Sequence, residues 1–262
     1  MGFSVDWLAL REPADLAARD ADLLRRAVQA AGPNPLIVDL GCGTGATWRA
    51  MAQHLPKDAR WRFVDNDPAL LAHAASQAGI GAELVEADIA DIDALPLDGA
   101  TLVTASALLD LVSEAWLRAL AARLQAPLYA ALNYDGIMNW TPEDPRDAGI
   151  TDAFNRHQRS DKGLGQALGP DAASCAAEVL GVAGFDVQQG QSPWRLGPDM
   201  ADLQTALTSG IAQAARDAGA QDADLWGQMR RKAARETHCV IGHLDILALP
   251  KTAHNEVSHA VR

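Results

Sequence analysis

The sequence predicts an α/β protein built on a doubly wound, parallel sheet. Five short apolar runs, at 36–40, 60–64, 83–87, 101–105 and 128–132, alternate with stretches of helical period. A strand covered on both faces reads as such a continuous run, and regular alternation of strand and helix makes the sheet parallel. The third observation is a glycine-rich turn, GCGTG at 41–45, which leaves the first strand and enters a helix. The 262 residues, 48% apolar and 21% charged, suffice for one large domain with insertions.

In chain order, residues 13–31 place Leu16, Leu23, Leu24, Ala27 and Val28 at helical spacing, stopped by Gly32 and Pro33, so a single leading helix is expected within 1–35. The first strand, LIVDL at 36–40, is followed by a helix over 44–55 that Pro56 closes. The second strand ends at Asp65, after which Asp67 and Pro68 supply a helix cap and a proline at the first helical position, and Gly79 the stop. The third strand ends at Asp88, and the fourth precedes Ser106 and a helix over 113–124. With the fifth strand at 128–132 the core is expected to span 36–133.

Between 134 and 170 the periodicity fails amid Gly, Pro, Asn and Asp. A long irregular segment in a compact domain is usually functional, and Tyr134, Trp140 and Phe154 favour an ordered lid over a linker. Helix resumes at 171–180 and a sixth strand follows at 185–189. A helical insertion occupies 199–236, a long last strand 238–249, and a flexible tail is expected over 251–262.

Composition removes several functions. Lys plus Arg number 22 against 34 Asp plus Glu, and a net charge of −12 repels phosphate backbones and anionic lipid. No apolar run approaches a membrane span, and no secretory leader is read at the start. Three scattered cysteines, Cys42, Cys175 and Cys239, fit a reducing compartment, so a cytoplasmic protein is expected. They have no paired spacing and the seven histidines are dispersed, so no metal site is expected.

The glycine turn and the acids after it carry the chemistry. Gly41, Gly43 and Gly45 let the main chain approach a ligand at a helix start, but in the spacing G-x-G-x-G, which departs from the G-x-G-x-x-G dinucleotide fingerprint. Asp65 and Asp88 end successive strands beside that turn, where a doubly wound sheet opens its crevice. A carboxylate at Asp65 can accept two ribose hydroxyls, and Asp88 an adenine amino group with Ile89 against the ring. The bland readings are a tight strand-to-helix turn for the glycines, helix caps for the two acids, a strand end for Ser106, and a small packed residue for Cys42.

With VDLGCGTG at 38–45, FVDNDP at 63–68, EADIAD at 86–91 and TASALLDLVS at 104–113, the sequence resembles the class I S-adenosylmethionine-dependent methyltransferases, clearly over 36–132 and more loosely over 185–249. The resemblance implies a Rossmann-like sheet of seven strands with an antiparallel last strand, and S-adenosyl-L-methionine as cofactor. It implies that Asp39 with Gly41, Gly43 and Gly45 holds the methionine part, Asp65 the ribose, and Asp88 with Ile89 the adenine, with Asn66 packed beside ribose and adenine; Cys42 and Ser106 are further candidate cofactor contacts. The N/D-P-P-Y/F motif of DNA-base methylation is absent, and Asp110, Asn133 and Asp135 match a catechol metal site poorly.

The acceptor is less legible. Arg156, Arg159 and Lys162 concentrate positive charge in an acidic protein, which suits a clamp for a small polar or anionic metabolite; the alternative is a solvated run paired with Asp144, Asp147 or Asp152. His157 is the candidate base, with Tyr134 and Asp110 as further catalytic candidates, and Trp140 and Asn155 as substrate contacts. A non-catalytic nucleoside-binding module of the same fold and a protein or RNA methyltransferase are the rival expectations.

Overall fold

A computed structural model of the chain describes residues 4–78 and 81–251. Gly79 and most of the expected tail lie outside the described residues. The centre is an eight-stranded sheet in the order β3-β2-β1-β4-β5-β8-β6: β1 (Leu36–Leu40), β2 (Arg60–Asp65), β3 (Ala82–Glu86), β4 (Leu102–Ser106), β5 (Leu128–Thr141), β6 (Phe185–Gln191), β7 (Trp194–Leu196) and β8 (His238–Pro250). Strands β1 to β5 pair in parallel and β8 pairs antiparallel with β5 and β6, as expected of a doubly wound sheet with a reversed last strand. The count is eight rather than seven because three residues, Trp194–Leu196, also pair with β8; a strand that short carries no period for a sequence to reveal.

All five residues of β1 are buried, and the two-sided cover follows from alternation within the strands. Ile37, Phe63 and Leu102 pack on one face beneath α2 (Ala21–Ala30), α3 (Ala46–Met51) and α4 (Pro68–Ala78). Val38, Val64 and Val103 pack on the other, beneath α5 (Glu114–Arg123) and α7 (Ala172–Val182). Each such fully buried side chain contributes about 1.5–3 kcal/mol, so these strands fix the frame on which the site hangs.

The leading segment is two helices, not one. Helix α1 (Val5–Ala18) starts at Ser4, whose hydroxyl accepts the Trp7 amide, and α2 starts at Asp20, whose carboxylate accepts the amides of Asp22 and Leu23. Each cap is worth about 1 kcal/mol, and the second restarts the helix where a single 3.6-residue count would run through.

Residues 134–170 are largely regular structure rather than the irregular segment expected. Strand β5 continues to Thr141, with Met138 and Trp140 buried in alternation, and the register slips between Ala130 and Asn133 and between Tyr134 and Met138. Gly136, at φ +90°, sits in the second irregularity, so residues that read as a turn are a bulge. Helix α6 (Asp147–Gln158) follows and packs on α8 (Ala201–Asp217). It is tied to α9 (Ala223–Lys232) by Asp147, which accepts from Trp226 Nε1 at 2.7 Å and from the buried Arg230 at 2.5 Å.

The fully buried Asp245 organises the first part of β5. It accepts the Asp20 amide at 3.0 Å, the Tyr129 hydroxyl at 2.7 Å and the Leu132 amide at 2.8 Å. Leu132 has φ +58°, and Ala107, whose amide bonds to the neighbouring Ala131, has φ +50°. Side-chain-bearing residues held in this region cost about 1–3 kcal/mol each, and such strain concentrates at functional sites.

Candidate functional site

Two cavities open at the carboxyl ends of the parallel strands, of about 370 and 570 Å³. Gly41, Gly43, Asp65, Asp88 and Ser106 line the smaller. Gly43 adopts φ +53°, and its amide donates to Asp65 Oδ2 at 2.9 Å, while the Asp67 amide donates to Oδ1 at 3.0 Å. Asp65 therefore ties its own loop to the glycine turn and still lines the cavity with its remaining lone pairs. Asn66 and Asp88 are exposed at the rim, and Ile89 is half-buried beside them.

Behind the glycine turn lies a second polar layer. Asp39 accepts from Thr104 Oγ1 at 2.7 Å, and burial pushes its carboxyl up to about 7 against the pull of Thr104 and Arg19. Arg19 donates to Ser106 Oγ at 3.0 Å. Asp39 Oδ2 and Arg19 Nε and Nη1 are buried without partners among the described residues. Cys42, Gly45 and Asp39 do not line the cavity. Cys42 packs in the core with its thiol pushed up by burial, and Gly45 starts α3 against Ala74.

The larger cavity is mostly apolar. Trp7, Tyr134, Phe154 and Trp194 wall it, and Arg11, Asp110 and His243 are its charged or titratable side chains besides the Tyr134 phenol. It meets the smaller cavity at Arg11, Ala107 and Leu111, which line both. Asp110 is buried, and burial pushes its carboxyl up to about 6, opposed by its own backbone and Arg11. Burial and Arg11 push His243 down to about 3, so its imidazole is neutral near pH 7.

Several expected acceptor residues lie elsewhere. His157 lines neither cavity; its Nδ1 meets Lys162 Nζ at 3.1 Å, and burial with that ammonium lowers its pKa. Arg156 is exposed and reaches the Ala218 carbonyl at 3.5 Å. Arg159 pairs with Asp171 at 2.8 Å, a partner outside the expected acids. Lys162 lines the smaller cavity and donates to the His157 carbonyl at 2.9 Å, so no cationic clamp is assembled around an acceptor. Asn155 is spent inside the fold, accepting from the Tyr134 hydroxyl at 2.8 Å and donating to the Gly136 carbonyl at 2.9 Å. Trp140 is buried edge-on against Trp226, 5.5 Å between ring centroids. Tyr134 and Asp110 do reach the larger cavity.

Trp7, Arg11, Trp194 and His243 were not expected there. The one available signal was His243 itself, a titratable residue inside the apolar stretch VIGHLDILAL of the last strand. Among the described residues no group of three or more His, Cys, Asp and Glu is placed to hold a metal ion, and no helix is long and apolar enough to cross a membrane.

Comparison with known proteins agrees with this geometry. Residues 37–128 match the family model described as a methyltransferase domain. A trans-aconitate 2-methyltransferase of Streptomyces avermitilis is 28% identical over 243 residues, 86% of each protein. A release factor glutamine methyltransferase of Mycolicibacterium smegmatis is 48% identical over 67 residues, 25% of this chain and 24% of that one. In fold, the chain is similar to a cyclopropane synthase of Mycobacterium tuberculosis, with a TM-score of 0.53 at 13% identity over 94% of both chains.

Proposed function

We propose that this chain, an enzyme carrying a class I S-adenosylmethionine-dependent methyltransferase domain over residues 37–128, methylates a small molecule held in the larger cavity. The observation that carries the reading is the junction: a glycine-and-acid cavity and an apolar cavity share Arg11, Ala107 and Leu111 as a common wall.

The residues of the smaller cavity fit the cofactor. In the buried polar layer behind the glycine turn, outside the cavity's own lining, Asp39 Oδ2 is an unfilled acceptor and Arg19 Nη1 an unfilled donor, a pair whose chemistry suits an amino-acid ammonium and carboxylate. Asp65 keeps lone pairs that suit ribose hydroxyls, and the presence of Asp88 and Ile89 in the same lining supports their contact with an adenine edge and face. When bound, the cofactor supplies an electrophilic methyl on a sulfonium, so the chain's task is to align a nucleophile and exclude water. Trp7, Phe154 and Trp194 serve the second purpose. The relative's acceptor, trans-aconitate, supports a small molecule as the class of substrate. Three free cysteines support a reducing, cytoplasmic setting.

Calorimetry tests the cofactor half: S-adenosylhomocysteine should bind the wild type and fail to bind Asp65→Ala. Incubating the enzyme and S-adenosylmethionine with a metabolite extract, and searching for a mass gain of one methylene, tests the acceptor half. A Gly210→Trp substitution, which fills an open position on the wall of the larger cavity, should abolish that gain while leaving cofactor binding intact.

A further inference from the structure

The polar atoms of the larger cavity are unbalanced. Asp110 Oδ1 and His243 Nδ1 are buried with no hydrogen-bond partner among the described residues. Arg11, the cationic side chain of its lining, is committed: Nε donates to Asp15 Oδ2 at 2.9 Å and Nη2 to Oδ1 at 3.1 Å. The same carboxylate takes Trp194 Nε1 at 2.9 Å, and the guanidinium lies 4.9 Å from the centre of the Trp194 ring. A ligand entering this space meets aromatic walls, a carboxylate and a neutral imidazole, while the cation is already paired with Asp15. Leaving a buried polar atom unpaired is unfavourable, and a ligand carrying hydrogen-bond donors relieves that cost; an anionic ligand would face Asp110 instead.

We propose that the methyl acceptor is an uncharged or cationic molecule with an apolar, preferably aromatic body and an O–H or N–H nucleophile, that Asp110 takes the nucleophile's proton, and that His243 positions the acceptor. This rests on the reading of the larger cavity as the acceptor site. Asp110 follows the strained Ala107 in the stretch that divides the two cavities, and its carbonyl is fixed by the Gly169 amide at 2.9 Å. As the acceptor's X–H proton passes to the Asp110 carboxylate, the X–CH₃ bond forms and the S–CH₃ bond breaks, its electron pair staying on sulfur. The products are the methylated acceptor, S-adenosylhomocysteine and a protonated Asp110, which returns its proton to water when the site opens. His243 offers a hydrogen-bond acceptor without a charge, so its part is orientation.

The test gives the full-length enzyme and S-adenosylmethionine a panel of substituted phenols, arylalkylamines and aliphatic polycarboxylates that includes trans-aconitate, read by mass spectrometry and by calorimetric binding. Phenols or amines should be bound and methylated and polycarboxylates should not. Asp110→Asn should lower kcat on the accepted probe about 100-fold, with S-adenosylhomocysteine affinity unchanged as the check on folding. His243→Gln should act mainly on KM. Methylation of the polycarboxylates alone, or no binding of any phenol or amine, overturns the acceptor class, and an unchanged kcat in Asp110→Asn overturns the proton transfer. Methylation that survives Gly210→Trp would instead remove the larger cavity as the acceptor site, a failure of the underlying reading with its own signature.

Discussion

The two cavities differ in how the chain builds them. The smaller takes most of its lining from strand ends between Gly41 and Leu111, each a short step along the chain from the last. The larger draws on α1, the turn after β4, β5, α6, β7, α8 and β8, and its buried acid and imidazole, Asp110 and His243, are 133 positions apart. A ligand bound by backbone turns and strand ends can be read from local motifs, whereas a ligand bound by side chains from distant elements cannot. Which half of the site can be read locally and which cannot thus follows from contact distance along the chain.

Substitutions sharpen that contrast, beginning with the half that is built locally. Gly43→Val forces a branched side chain onto φ +53° and pushes on Leu8, 3.2 Å from the new Cβ, so cofactor affinity measured by calorimetry should fall by more than about 100-fold. Asp65→Ala should match it, since the Gly43 and Asp67 amides both lose their acceptor. In the other half, the active form of Asp110 is the carboxylate, so kcat/KM should rise with pH through about 6 and then level. The groups that share its cavity are Arg11 from α1, Tyr134 from β5 and His243 from β8; of these, His243 is neutral across that range and the Tyr134 phenol is raised by burial. A profile that stays flat through pH 6 would place the proton elsewhere.

A smaller effect separates His243 from its glutamine variant by stability. Its folded pKa, about 3, lies below the ordinary 6.5, so the unfolded chain binds the extra proton as pH falls between those values. Wild type should therefore lose stability relative to His243→Gln by on the order of 1 kcal/mol per pH unit across that window, measured by urea denaturation at successive pH values. The smallest effect belongs to the charges that lie outside the larger cavity. Arg156→Ala and Arg159→Ala should each change stability by less than about 1 kcal/mol and turnover by less than about threefold, because Arg156 is exposed and the Arg159–Asp171 pair is open to solvent.

The same logic governs what the sequence disclosed. The five parallel strands β1 to β5 and the meeting of Gly41, Gly43, Asp65 and Asp88 at one cavity were legible, because a buried strand and a glycine turn announce themselves within ten residues. Asp39 and Cys42 belong to the same motif, yet their side chains turn inward, since strand alternation and burial rather than the motif decide which face a residue shows. The stretch 134–170 misled because Asp135 and Gly136 resemble a turn, and only pairing with β8 reveals a bulge. The charge cluster of Arg156, Arg159 and Lys162 was real, but a helix and its following loop distribute those side chains onto separate neighbours.

Helix α1 contributes Leu8 to the smaller cavity, Trp7 to the larger and Arg11 to both, and it is pinned by Glu12 to Arg49, by Asp15 to Trp194 and, just past its end, by Arg19 to Ser106. Occupying either side loads the same short segment, so backbone deuterium uptake over Val5–Ala18 becomes a single gauge for both guests. Adding S-adenosylhomocysteine should slow that uptake, and adding the acceptor as well should slow it further than the sum of the separate decrements, the mark of cooperative seating through one shared wall.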